Sequence, residues 1–218
     1  MSQARAPRNT LDRGKIVDAA RELLDREGMD ALSMRRLADA LGVRPMSLYH
    51  HLATKDELID ALVDSVFGEI ELPEPSAQWK AELSKRSRSM RAVLTGHPWA
   101  LPLMETRANP GAKSLEHHEA TLNVLRSAGF SVPAAAHGYA ILDAFVYGFV
   151  LNEIMLSSVG LDTDAEELAR GMDFSATPRI AEVAQMYVEA ENFVLLDSFE
   201  VGLELTLEGI EKLRGKFD

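Results

Sequence analysis

Apolar residues in this chain recur at three- and four-residue intervals along most of its 218 positions, and no stretch sustains a period of two. A chain patterned this way buries helix stripes and offers no half-buried strand, so an all-α fold is expected. In NTLDRGKIVDAARELLDREG the stripe is Ile16, Ala19, Ala20, Leu23 and Leu24, with Asn9 or Thr10 placed to cap it and Gly28 placed to stop it. Ser33 can cap a short helix, MRRLADAL, whose inner face is Leu37, Ala38 and Leu41. Gly42 then permits a tight turn. Pro45 suits the first turn of a second short helix over 45–51. TKDE at 54–57 has the form of a capping box, Thr54 bonding forward and Glu57 reaching back. It opens a helix over 54–72 with Leu58, Ile59, Leu62, Val63, Val66 and Ile70 on one side, ended by Pro73 and Pro75. Further helices are expected at 76–95, 98–106, 112–127, 132–157, 165–170, 178–194 and 196–214.

The chain has no Cys, which removes disulfides and Cys-based zinc sites and points to a cytoplasmic location. No apolar run follows the basic start, so no signal peptide is expected. The apolar run AILDAFVYGFVL is interrupted by Asp143 and reads as too short for a bilayer, so no membrane partner is expected. Net charge is −11, but unevenly spread: residues 1–55 hold ten Lys/Arg against seven Asp/Glu, a net of +3, whereas residues 56–218 carry −14. Local basicity, not the total, is what a polyanion responds to. The division expected is a basic tail at 1–8, a DNA-facing head at 9–56 and a body at 57–218, with the helix 54–72 as connector.

Two short helices joined by a Gly-containing turn match a helix-turn-helix, whose second helix enters the major groove. Here that helix exposes Arg44, Pro45, Ser47, Tyr49, His50 and His51, while Leu48 and Leu52 point inward. Arg44 can pair bidentately with guanine, and Arg35 and Arg36 can reach base or phosphate. Ser47 and Tyr49 bring hydroxyls to phosphate oxygens, and Lys55 opens the next helix. His50 and His51 are adjacent and cannot share one ion, so no metal is expected there.

The ordered set IVDAARELLDREGMDALSMRRLADALGVRPMSLYHHLATKDELIDAL resembles the N-terminal domain of the TetR family of transcriptional repressors over residues 12–72. RSAGFS and SFEVGLELTLEGIEKL resemble the tetracycline-repressor branch of that family. The resemblance implies a homodimer that holds a palindromic duplex operator and leaves it when a small molecule fills the body. It also implies that Ser33 caps the motif, that Arg35 touches a base, that Ser47, Tyr49 and His51 lie at phosphates, and that Lys55 opens the fourth helix. Arg44 and Pro45 stand where the tetracycline repressor has Glu and Gln, and His50 where it has Trp, so a different operator is expected. Thr106 matches a pocket threonine, but Leu103 stands where that repressor has a metal-binding histidine and Thr121 where it has a glutamine. A magnesium–tetracycline inducer is therefore not expected, and no cofactor is implied.

Candidate inducer contacts are His97, Trp99, Met104, Thr106, His118, Phe145, Tyr147, Phe149, Asn152 and Met155, with Asp143 a further polar group among them and Met172, Phe174 and Phe193 further apolar ones. A mostly apolar cavity with a few polar groups suits a hydrophobic or aromatic small molecule. Apolar stripes are core by default, and His97 is either a satisfied buried histidine or a ligand contact. Glu116, His117 and Glu119 read as a solvated face, with His118 the one to turn inward. Ala135, Ala136, Gly138, Ala140, Ala144, Gly148 and Gly202 allow close helix approach, which suggests a four-helix dimer interface. The function expected is a ligand-responsive repressor. The rivals are a regulator controlled by a protein partner and a helical enzyme; against the enzyme, G-x-S-x-G, a P-loop and an E-x-x-H pair are all missing.

Overall fold

The computed structural model describes residues 11–106, 111–158, 173–189 and 197–217. The tail at 1–8, Asn9, Thr10, the helix expected at 165–170, Met172 and Phe193 lie outside the described residues. Those described are helical, with no strand: α1 Arg13–Glu27, a 3-10 turn Met29–Ala31, α2 Met34–Ala40, α3 Pro45–Tyr49, α4 Lys55–Phe67, α5 Trp79–Gly96, α6 Ala100–Thr106, α7 Ala112–Ser127, α8 Val132–Ser158, α9 Pro178–Glu189 and α10 Asp197–Glu211. The chain divides into two compact units, one from residues up to 70 with 96–118, the other from 71–95 with 119 onward.

Local signals set the first unit's boundaries. Asp12, not Asn9 or Thr10, caps α1, its carboxylate accepting the Lys15 N–H at 2.9 Å. That bond holds the Asp12 carboxyl below its usual range. Gly28 ends α1 at φ 74°, its N–H reaching Leu24 O at 2.8 Å. Ser33 Oγ accepts the Arg36 N–H, and Gly42 turns at φ 65°. Thr54 Oγ1 accepts the Glu57 N–H at 3.0 Å, while the Glu57 carboxylate reaches back to the Ala53 N–H at 2.8 Å. Together these satisfy donors that a helix start leaves orphaned. α4 stops at Gly68, short of the expected 72. Ile16, Ala20, Leu37, Leu48, Leu52, Leu58 and Leu62 close the core with no exposed surface.

In the second unit α8 packs on α10. Leu142, Val146 and Val150 meet a buried face that includes Phe199, Leu203 and Ile210. A Cβ on Gly202 would lie 2.6 Å from the Phe145 ring, and one on Gly138 3.0 Å from Ile210, so both glycines serve packing inside the unit rather than between copies. This corrects their assignment to a dimer interface; Ala135, buried at 1%, joins them. The expectation that the run AILDAFVYGFVL is too short also needs correction: α8 outruns it, and residues 132–157 are long and apolar enough to cross a bilayer by length and composition alone. Three α5 arginines tie the unit together, Arg86 to Asp143, Arg88 to Glu200 and Arg91 to Glu153. Arg91 also lies over the Phe199 ring at 4.5 Å.

Candidate nucleic-acid interface

The α2–turn–α3 segment sorts its residues by register. Leu48 and Leu52 are fully buried, which turns Arg44, Pro45, Tyr49, His50 and His51 outward and leaves Ser47 half-buried. Tyr49 is 41% exposed, and a tyrosine so placed has an apolar ring and a polar tip to offer a partner. Met46, missed in the sequence reading, is more exposed still at 68%. Its signal was there: a position two before the inward Leu48 faces away. An exposed thioether is adaptable and apolar, suited to a thymine methyl.

The basic residues differ in what already holds them. Arg35 and Arg44 are exposed and carry no ion pair among the described residues. The Arg36 guanidinium is ion-paired to Glu27. Arg26 and then Arg36 hold the Glu27 carboxyl below its ordinary value through their hydrogen bonds. Lys55 Nζ donates to Leu32 O at 2.8 Å, bracing the chain one residue ahead of the Ser33 cap. Two of its three N–H groups remain for an anion.

The inducer candidates distribute over both units. In the first, His97 bridges two carboxylates, Nδ1 to Asp25 at 2.7 Å and Nε2 to Glu69 at 3.2 Å. Trp99, buried, donates Nε1–H to the same Asp25 oxygen at 2.6 Å. The polar atoms of His97 and Trp99 are thus engaged within the unit, which favours the satisfied-histidine reading of His97. Met104 is half-buried; Thr106 is exposed and bonds back to Pro102 O at 2.8 Å. His117, expected on a solvated face, is instead 1% exposed and lies 5.9 Å from the Phe67 ring. His118 is half-buried and edge-on to Phe67. The correction has a simple cause: Ser114 and His117, three apart on α7, share its inward face, and Phe67 supplies the wall. In the second unit Phe145 and Phe149 gather on Phe199 at 5.5 and 5.2 Å. Tyr147 is half-buried, while Asn152 and Met155 are exposed. Phe174 is half-buried.

Two family models cover the chain: bacterial regulatory proteins of the tetR family over residues 16–62, and the tetracyclin repressor-like C-terminal domain over residues 72–214. The chain belongs to the TetR family of transcriptional regulators. An HTH-type transcriptional regulator of Saccharopolyspora erythraea is 41% identical over 144 residues, 66% of this chain but only 61% of that relative, so the chain spans less than two thirds of its length. HTH-type transcriptional repressor DrrR1 of Streptomyces coeruleorubidus is 30% identical over 96% of this chain and 81% of its own. Apo ActR of Streptomyces coelicolor superposes with a TM-score of 0.79 at 32% identity, covering 99% of this chain and 100% of that one. ActR has also been solved in complex with actinorhodin.

The head of this TetR-family chain is economical: the five-residue α3 has no side-chain cap of its own and starts at Pro45 after the Gly42 turn, between α2, capped by Ser33, and α4, capped by Thr54. As a TetR-family regulator the chain is a DNA-binding transcription regulator with a helix-turn-helix head.

Proposed function

We propose that this chain is a repressor that binds a palindromic operator as a homodimer in the cytoplasm and is released by a hydrophobic or aromatic inducer. Residues 9–56 act as the DNA-binding head and 57–218 as the inducer-binding and dimerisation body, with the 54–72 segment as connector. Operator contacts are Arg35, Arg44, Pro45, Ser47, Tyr49, His50 and His51, framed by Ser33, Arg36 and Lys55. The observation that carries this is the exposure of Arg35 and Arg44, unpaired among the described residues, beside an outward Tyr49. For the dimer, Ala136, Ala140, Ala144 and Gly148 form an exposed stripe at four-residue spacing on α8. Ile141, Leu151 and Met155 flank it, and α10 adds exposed Val201 and Leu205. A second copy covering that surface removes an apolar patch from water.

Two recognition helices about 34–36 Å apart fit successive major grooves. An inducer that prefers a different spacing shifts the population by its differential affinity alone. Leu103, in place of a metal-binding histidine, argues against magnesium–tetracycline as that inducer. The complex of ActR with actinorhodin supports a small-molecule ligand for a relative of this size and fold. Selection of duplexes from a random library tests the reading, with light scattering on the free protein. A two-fold symmetric site and a dimer are expected. An asymmetric consensus, or a monomer at micromolar concentration, overturns it.

A further inference from the structure

The two tryptophans of the chain are both buried, Trp79 at 5% exposure and Trp99 at 7%, but they use their indole N–H groups differently. Trp99 donates to Asp25. Trp79, the first residue of α5, donates to nothing among the described residues, and its nitrogen is not one of the polar atoms sealed from solvent. Trp79 lines a groove of about 370 Å³ in the second unit, and there its N–H meets solvent. Three segments converge on this groove: Ser76 ahead of α5, Ser127 at the end of α7 and Arg214 beyond α10. No carboxylate lines it, and the remaining lining is proline and alanine.

Its polar groups are left with hydrogens to give. The Ser76 Oγ already accepts the Gln78 N–H at 3.1 Å, so its own hydrogen is free to point elsewhere. Ser127 reaches Asn123 only at 3.5 Å, the long limit of a hydrogen bond. Arg214 lies over the Phe130 ring at 5.1 Å, and Phe130 packs edge-on against Trp79. Glu211 stands 3.3 Å from Arg214 Nε, which leaves the two terminal nitrogens without an ion pair among the described residues. Lys80, over the Trp79 ring at 5.7 Å, is spent on Glu208 at 2.7 Å, so the charge at the groove falls to Arg214. The first N–H groups of α5, an 18-residue helix, have no carbonyl four residues back within it. Glu82, the acidic residue of that turn, reaches back to the Glu74 N–H at 3.2 Å.

Donors gathered around one cavity with no acceptor among them suit an oxyanion. We propose that this groove binds the phosphoryl group of a small phosphomonoester. The donor set selects phosphate over carboxylate. It comes from three segments around the groove, and a phosphoryl group offers three terminal oxygens to them, whereas a carboxylate offers two in one plane. Arg214 supplies the charge; Trp79 and the two hydroxyls supply direction. The groove holds on the order of ten waters at about 30 Å³ each, more than a bare phosphate fills, so the ester carries a small organic group against the proline and alanines. One bound ligand then ties the start of α5, the end of α7 and the segment after α10 together.

Butyl phosphate, inorganic phosphate, pentanoate and butanol separate the possibilities on the full chain. Two tryptophans give two indole N–H signals in a nitrogen-15 correlation spectrum, and Trp79→Phe identifies the one from Trp79. Butyl phosphate is expected to move the Trp79 signal saturably and leave the Trp99 signal in place. Affinity by calorimetric titration is expected to fall in the order butyl phosphate, inorganic phosphate, pentanoate, with butanol silent. Arg214→Gln should lower butyl phosphate affinity about tenfold or more, as loss of a charged hydrogen-bond partner does. Arg214→Lys should recover part of that loss. Trp79→Phe keeps the wall and loses the donor, and should cost about threefold or more. Lys216→Gln removes an exposed cation close by in sequence and should leave affinity unchanged. The same spectra report that each variant is folded. A Trp79 signal that no probe moves, an equal shift with butanol, or pentanoate binding as tightly as butyl phosphate overturns the proposal. So does binding of inorganic phosphate without butyl phosphate, a Lys216→Gln loss as large as that of Arg214→Gln, or unchanged affinity in both Arg214→Gln and Trp79→Phe.

Discussion

Alanine at Arg44, Arg36 and Lys55 should give three distinguishable results, because the structure puts these cations in three different states. Arg44 has no ion pair among the described residues, so its guanidinium is free for a base edge. A bidentate pair with guanine discriminates by about 2 kcal/mol per half-site, so two half-sites amount to about 4 kcal/mol, near a thousandfold in operator affinity. Arg36 is exposed and already bound to Glu27. Its removal should change stability little, as exposed pairs do, and change operator affinity less than about threefold. Lys55 keeps two N–H groups beyond its bond to Leu32 O. If these meet one phosphate per half-site, Lys55→Ala should flatten the slope of log affinity against log salt by about 1.8 for the dimer. Fluorescence anisotropy on the selected operator and on a scrambled duplex, across a salt series, reads all three. Arg44→Ala should hurt the operator far more than the scrambled duplex, and Lys55→Ala should weaken both equally. Equal losses for Arg36→Ala and Arg44→Ala, or an Arg44→Ala loss shared by the scrambled duplex, refutes the reasoning that internal pairing decides which cation reads DNA.

Asp25→Ala should lower stability by about 2 kcal/mol, because it strands the buried Trp99 N–H that Asp25 accepts; a drop under about 0.5 kcal/mol in urea titration at fixed protein concentration counts against the clamp. The Arg88 guanidinium holds the Glu200 carboxyl below its ordinary value, so this pair adds stability above about pH 4.3 and loses it as pH falls further. Glu200→Gln should remove that acid-side slope, a change of at most about 1 kcal/mol at neutral pH given the pair's exposure, measured by thermal unfolding between pH 3 and pH 7. Leu205, 68% exposed on α10, should convert the dimer to monomer when replaced by Glu. Light scattering that still shows a dimer moves the interface elsewhere.

The features legible in the sequence are those decided within one helical turn. Ser33, Thr54 with Glu57, Gly28 and Gly42 each act on a backbone group three or four residues away, so residue type and spacing were enough. Helix existence was legible for the same reason, since each stripe repeats its own evidence. What could not be read depends on a partner far along the chain. Whether His117 or His118 turns inward is settled by Phe67, fifty residues earlier in sequence on α4. Gly202 reads as a place for a second copy until the Phe145 ring is seen to fill it. That His97 and Trp99 share one carboxylate partner shows only when Asp25, on α1, is seen against both.

The same limit applies to charge, and there it changes the functional argument. A net of +3 over residues 1–55 suggested a basic patch. Of the eight basic side chains described in residues 11–55, the folded head pairs five: Arg13 with Glu57, Lys15 with Asp12, Arg21 with Glu69 and Asp18, and Arg26 and Arg36 with Glu27. Among the described residues Arg35, Arg44 and, in part, Lys55 remain. The field at α2–α3 therefore comes from few cations, which favours base reading over broad phosphate attraction. At most three cations per half-site put a ceiling near −5 on the salt slope of a dimer. A slope near −10, persisting after removal of residues 1–8, would mean that the internally paired arginines open onto the duplex and that the folded head does not preset its charge.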